Sequence, residues 1–177
     1  MALVVFLRGV NVGGHRTFQP SVLAKELAKY DVVNIGAAGT FVVRKPISQA
    51  KLRAEFLQRL PFEAEIMICP ARDILNLASA DPFANQPTGP DIVRFVSVLA
   101  KRPRVLPSLP LSMPSDDGWL LKIIEVRDRF VLGFYRRQMR AISYLSQLDK
   151  RLGASATTRN WNTINFIVKV LKASRAT

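Results

Sequence analysis

Two rhythms of apolar residues run along this chain, and the switches between them mark its elements. Ala2 to Leu7 is a nearly continuous apolar run rich in Val and ended by Gly9, the pattern of a strand buried on both faces. From Pro20 the spacing becomes helical, with Leu23, Leu27 and Tyr30 on one face and the proline where a first helical turn tolerates it. Val32 to Ile35 and Thr40 to Arg44 are β-branched and aromatic segments separated by Gly36-Ala37-Ala38-Gly39, which predicts a hairpin. Ser48 is placed to cap a helix carrying Leu52, Phe56 and Leu60 and stopped by Pro61, and Ala64 to Cys69 predicts a further strand closed by Pro70. The order is βαββαβ, which predicts a ferredoxin-like unit with helices on one face of an antiparallel sheet.

A short helix over Asp73 to Ala80 leads into Asp81 to Pro90, where three prolines and a glycine predict a linker. Beyond it, Ile92 to Leu99 is a strand, and Arg104 to Ser115, with three prolines, is a loop or one broken helical turn. Trp119 to Val126 and Phe130 to Tyr135 predict a second hairpin through Arg127-Asp128-Arg129. Ala141, Leu145, Leu148 and Leu152 share one helical face, with Gly153 as the C-cap. A short extended stretch through Thr158 then gives way to a last helix carrying Ile164, Ile167, Val168 and Leu171. The second half thus repeats the first loosely, its first helix reduced to the Pro-rich segment. The expected architecture is α+β, two tandem ferredoxin-like (βαββαβ) halves with antiparallel sheets: residues 1–81, then a basic half over 91–177 with an extra C-terminal helix. No sequence repeat links the halves, so the duplication rests on element order alone.

Charge adds a functional direction. Of the formal net charge of +13, residues 1–90 hold 10 basic and 7 acidic groups, whereas residues 91–177 hold 16 and 6. A surplus concentrated in one half favours encounter with polyanions or phosphorylated molecules, although solubility alone also accounts for a high net charge. The single cysteine, Cys69, excludes an intramolecular disulfide, and with one histidine it excludes the usual Cys/His zinc spacings. No uncharged apolar run reaches the ~18 residues of a membrane span, and Arg8 interrupts the first one too early for a signal peptide. These features predict a cytoplasmic protein without a membrane partner.

Two segments carry candidate chemistry. Arg8-Gly9-Val10-Asn11-Val12-Gly13-Gly14-His15-Arg16 leaves the first strand, and loops of this composition present successive backbone N–H groups to a phosphate or carboxylate. Gly9 and Gly14 imitate P-loop spacing, but His15-Arg16 stands where Lys-Ser/Thr is required, and the dinucleotide pattern fails as well. Glycines alone serve tight turns; Arg8, Asn11, His15 and Arg16 among them suggest more. Histidine is the side chain whose unperturbed pKa lies near neutrality, which makes His15 the candidate general base, although no acidic orienter lies near it in sequence.

The second segment is Thr157-Thr158-Arg159-Asn160-Trp161-Asn162-Thr163, where the last strand meets the last helix. Asn160 is the expected N-cap, and the open N–H groups behind it favour an anion by ~0.3–1 kcal/mol. Arg159 can add a bidentate charge-assisted contact, and Trp161 either stacks on a ring or anchors the helix. Arg136, Arg137 and Arg140 precede or open another helix, where cations oppose the dipole unless an anion compensates them.

Phe6 to Gly14, followed much later by Ala156 to Thr163, resembles the bacterial domain-of-unknown-function 1697 family, over nearly the whole chain. The resemblance implies two ferredoxin-like units in tandem, and it brings no activity. Ala38-Gly39-Thr40 stands where a Ser-Gly-Asn is usual, and Arg136-Arg137-Gln138 where a Gly-Arg-Ser-Lys type stretch is usual. Those departures remove a hydroxyl and an amide from any shared chemistry.

The leading functional expectation is binding of a phosphorylated small molecule or nucleotide between the halves. Its ligand-binding residues are Arg8, Gly9, Asn11, Gly13, Gly14, His15, Arg16, Arg136, Arg137, Thr158, Arg159, Asn160, Trp161, Asn162 and Thr163. The alternatives are an RNA or single-stranded nucleic-acid binding module on a basic sheet face, and an enzyme acting on an anionic substrate with His15 as base. Nothing in the sequence names a cofactor or a metal site.

Overall fold

Leu3, Val5 and Leu7 of the first strand point to one face of its sheet, Val4 and Phe6 to the other, and all five are buried. A strand enclosed on both sides has no polar face to alternate with, which is why its sequence is a continuous apolar run. The computed structural model describes residues 1–11, 14, 17–115 and 117–173. In it the chain is α+β, with two antiparallel sheets. Among the described residues no helix is long and apolar enough to cross a membrane.

The first compact unit, Met1–Ser79, runs β1 (Leu3–Arg8), α1 (Pro20–Glu26), a 3-10 turn at Ala28–Tyr30, β2 (Val32–Asn34), β3 (Thr40–Val43), α2 (Gln49–Arg59), β4 (Glu65–Pro70) and α3 (Ala71–Ser79). Its sheet order is β2-β3-β1-β4, every pair antiparallel, with Val5 opposite Phe41 on one side and Ile68 on the other. Leu23 and Leu27 from the first helical segment and Leu52 and Phe56 from α2 close over Val5, Phe41 and Ile68. Phe41 and Phe56 meet edge to face at 5.1 Å. The predicted hairpin between β2 and β3 is present, and Gly39 turns it at φ +83°. A Cβ there would lie 2.7 Å from Val10 Cγ2, so the turn needs glycine on both counts. Ser48 caps α2, its hydroxyl accepting from Lys51 N at 3.2 Å.

The second unit, Ala80–Ile164, holds β5 (Ile92–Leu99), β6 (Leu111–Met113), β7 (Leu121–Arg127), β8 (Phe130–Arg136), α4 (Met139–Leu145), α5 (Leu148–Leu152), β9 (Ala156–Asn160) and the start of α6 (Trp161–Ala173). From Asn165 on, α6 belongs to the first unit, so the units are not strictly consecutive in sequence. The sheet order is β6-β7-β8-β5-β9. Its last four strands repeat the order β2-β3-β1-β4 in kind. Phe95, Leu99, Leu121, Ile123 and Val131 form one face of it and pack with Leu148 and Leu152.

Three local expectations change. The Pro-rich segment read as loop or broken helix contains β6, which pairs Leu111–Met113 with β7 at the sheet edge, where neighbouring prolines cost no interior ladder bond. The helix expected across Ala141 to Leu152 is two helices. Ser143 Oγ donates to Arg140 O and Ser146 Oγ to Ser143 O, both at 2.7 Å; such back-bonding competes with helix continuation, and the break follows at Ser146-Gln147. The short helix expected from Asp73 begins at Ala71, directly after β4. Gly153 does end α5 in the left-handed region, φ +67°.

Gly133 sets the packing between β5 and β7. It lies in β8 opposite Phe95 and Ile123, and a Cβ on it would stand 2.1 Å from Lys122 O and 3.0 Å from the Phe95 ring. The missing side chain leaves room for the Lys122 carbonyl and lets the Phe95 ring lie close against the strand.

Candidate functional site

Strand β5 pairs with β8 from Ile92 onward but with β9 only from Phe95, because the chain leaves the sheet at Asn160 to enter α6. Ile92, Val93 and Arg94 therefore have a strand on one side only. A cleft of about 380 Å³ opens there, lined by Thr88 and Gly89 of the linker, the first three residues of β5, Tyr135 and Arg137, and Asn160, Trp161 and Asn162 at the helix start. All of these belong to the second unit. No Asp or Glu is among them.

Arg137 Nε donates to Pro90 O at 2.8 Å, and the backbone N–H of Arg137 donates to Asp91 O. This fixes the side chain while its terminal nitrogens meet no acceptor among the described residues. Arg94 has no ion pair among them either; its guanidinium lies 5.6 Å from the centre of the Phe83 ring. Two guanidinium groups thus border one small cleft without a carboxylate to neutralise them. Tyr135 is half-buried, and burial pushes its hydroxyl pKa up, with Arg137 pulling it back.

The helix start is built as the spacing predicts. Asn160 Oδ1 accepts from Thr163 N at 2.9 Å and from Thr163 Oγ1 at 3.0 Å, leaving the N–H groups of the preceding helical residues to the cleft side. Trp161 is partly exposed there and meets the buried Phe83 edge to face at 5.0 Å.

Of the residues expected in a site, Arg137, Asn160, Trp161 and Asn162 come together in this cleft, with Thr163 behind them holding the cap. Arg136 does not line it. That side chain donates to Asp91 Oδ2 at 2.8 Å and to Trp119 O at 3.2 Å, and stacks 4.1 Å from the Trp119 ring centre. Its cost near a helix start is therefore met within the protein. Thr158 hydrogen bonds Ser97 across the strand pair at 2.6 Å. Arg159, opposite in facing to Asn160 along β9, is 7% exposed and donates to Thr157 Oγ1 and Thr158 O. Burial pushes its guanidinium down to about 10, still protonated at neutral pH.

In the first unit, Arg8 pairs with Glu65 at 3.3 Å, and Gly9 and Gly14 take φ +68° and +79°. Asn11 spans its loop, donating to Ala37 O and accepting from Phe18 N, each at 3.0 Å. Gly13, His15 and Arg16 lie outside the described residues. Cys69 is buried in β4. Among the described residues no cluster of three or more His, Cys, Asp or Glu could hold a metal ion.

Sequence reasoning missed Thr88, Gly89 and Arg94. The first two sit in a stretch that reads only as linker. Arg94 did leave a signal, being the one charge in the run Ile92 to Leu99, which apart from it and Ser97 is apolar.

The fold has a relative among solved structures, that of conserved bacterial protein SP0830 from Streptococcus pneumoniae, with a TM-score of 0.56 and 18% identity over 96% of this chain and 98% of that one. At that identity the likeness concerns the fold alone. No curated protein matches the chain. Residues 1–106, which include the glycine-bearing loop, the first sheet and β5 with Arg94, match the family described as Protein of unknown function (DUF1697), and the chain belongs to that family.

Proposed function

We propose that the second unit binds a phosphorylated small molecule in the cleft between the exposed start of β5 and the start of α6. The observation that carries this reading is the pairing of Arg94 and Arg137, neither with a carboxylate partner among the described residues, around a cleft without acidic lining. Both guanidinium groups line the cleft with no carboxylate among its lining residues, and a bound phosphoryl group supplies the acceptors they lack through charge-assisted hydrogen bonds. The helix start adds its dipole in the same direction. We read the two sheets as two ferredoxin-like units, the second having exchanged its first crossover helix for the Pro-rich segment and β6. In that reading the loss of the helix leaves the strand end accessible.

The test is a thermal-unfolding screen against phosphorylated metabolites and nucleotides. A ligand that binds only the folded chain raises Tm, by an amount set by its concentration relative to Kd. At least one phosphorylated compound raises Tm for the wild type and fails to do so for Arg137→Ala. A screen in which none does removes the proposal. If only RNA or single-stranded DNA binds, with log K falling by ~0.7 per phosphate neutralised against log salt, the cleft is part of a polyanion surface instead.

A further inference from the structure

Two aromatic side chains line the cleft, and each is backed by a buried phenylalanine. Trp161 rests edge to face on Phe83, which is 2% exposed. Tyr135 lies 5.8 Å from Phe95, ring planes tilted by 41°, and Phe95 is itself held over Gly133. Rings fixed from behind lose little freedom when a planar ligand arrives, so the entropic cost of stacking is largely met before binding. Neither the Trp161 indole N–H nor the Tyr135 hydroxyl has a hydrogen-bond partner among the described residues, and both are suited to the polar edge of a heterocycle. The Asn162 side chain, exposed at the same place and also without a partner among them, adds a donor and an acceptor. The cleft volume of about 380 Å³ lies near the lower end of the ~300–1,000 Å³ that small-molecule sites span, a size matched to one base and one phosphorylated sugar.

We infer that the ligand is a nucleoside monophosphate, its base against Trp161 and its phosphate on Arg137. This rests on the reading of the cleft as a phosphate site and adds that a ring, as well as the charge, is recognised. The cations at the cleft hold the anion, the backed aromatics hold the base, and the linker residues Thr88 and Gly89 border both.

Calorimetric titration of the full chain separates the two levels. The probes are the four common ribonucleoside 5′-monophosphates, the matching nucleosides, ribose 5-phosphate and a dinucleotide. At least one monophosphate binds ten-fold or more tighter than ribose 5-phosphate, and its nucleoside and the dinucleotide bind at least ten-fold more weakly than it does. Trp161→Leu reduces that monophosphate to the affinity of ribose 5-phosphate and leaves ribose 5-phosphate itself unchanged, which also demonstrates that the variant is folded. In a Trp119→Phe background the fluorescence of Trp161 shifts on adding the monophosphate and not on adding ribose 5-phosphate. Equal affinity for ribose 5-phosphate and every monophosphate overturns the inference and leaves the phosphate site standing. Absence of binding by every probe overturns both.

Discussion

The four-stranded sheet and the five-stranded sheet treat their arginines differently. In the first unit each described arginine meets an acceptor: Arg8 with Glu65, Arg44 with Asp31, Arg53 with Ile66 O, Arg59 with Glu55, Arg72 with Asp73. Glu55 alone takes Tyr30, Lys29 and Arg59. In the second unit Arg102, Arg127 and Arg136 are paired with carboxylates as well, but Arg94 on β5 and Arg137 just after β8 have none among the described residues, Arg137 being held only by its bond to Pro90 O. A cation paired with a carboxylate inside the protein is scaffold, because a ligand must compete with that partner; a cation without a carboxylate is open to an anionic ligand. That contrast, independent of any relative, is the reason to place the proposed site in the second sheet.

The largest effect expected from breaking this arrangement lies at Gly133. An alanine Cβ would stand 2.1 Å from Lys122 O, a backbone atom that cannot swing aside, so overpacking of about 3 kcal/mol follows in chemical denaturation. Displacement of Phe95 would carry Tyr135 with it and weaken ligand binding as well. Gly36→Ala in the first sheet is the control. Gly36 has φ +72° but open space around it, so its cost is the ~1 kcal/mol of a left-handed residue. Equal costs at the two glycines would mean that the β7–β8 ladder yields and that the Phe95 ring is not wedged.

Next in size is the contrast between unpaired and paired arginines. Arg137→Ala reduces ligand affinity by about 1.5–3 kcal/mol, the worth of a hydrogen bond to a charged group, with the denaturation midpoint shifted by less than the ~0.5 kcal/mol usual for a surface substitution. Arg44→Ala does the reverse, costing up to ~1 kcal/mol of stability as a half-exposed pair and leaving affinity intact. Calorimetry and denaturation on the same two variants decide it. If Arg137→Ala destabilises more than Arg44→Ala, the guanidinium serves the fold and the contrast between the sheets fails.

Asn160→Ala comes third, at about 1 kcal/mol of stability in the absence of ligand, since it removes the acceptor for Thr163 N. An unchanged midpoint would mean that the α6 start is held by its ring contact to Phe83 alone.

How much of this was legible in the sequence depends on the range of the interactions involved. Strands β1, β3 and β4, the caps at Ser48 and Asn160 and the stop at Gly153 are local: each follows from residue type and spacing within one element. The division at Ser146-Gln147 was also local but hidden, because apolar spacing continues across it while two serine hydroxyls interrupt the helix. Strand β6 was not legible, since three residues between prolines become a strand only when β7 is there to pair with them. The same holds for the site. Asn160, Trp161 and Asn162 announce a helix start, but Arg94 and Thr88 join them only through the register that ends β9 at Asn160 opposite Phe95. Arg159 reads as a ligand contact because it is next to that helix start, and strand alternation turns it to the buried face.

The smallest effect tests the first sheet against pH. Asp31 receives two hydrogen bonds of 2.8 Å from Arg44, and that guanidinium holds its carboxyl pKa below the ordinary value. A carboxylate whose folded pKa is depressed stabilises the fold fully above its unfolded value, near ~3.9, and loses that contribution as pH falls through the folded value. With the Asp31 side chain 40% exposed, solvent screening keeps the contribution under about 1 kcal/mol. Asp31→Asn therefore lowers stability by that amount at pH 7, and the difference from wild type shrinks as the pH falls below the unfolded carboxylate value and through the lowered folded one. Ligand binding at pH 7 does not change, because Asp31 lies in the first unit and does not line the cleft. A difference from wild type that persists undiminished at the acid end would show that the cost of the substitution does not come from the Arg44 ion pair, since asparagine tolerates the left-handed backbone at φ +54° as aspartate does. Denaturation of wild type and variant across that pH range decides it, since the ion pair titrates and a cost of any other origin does not.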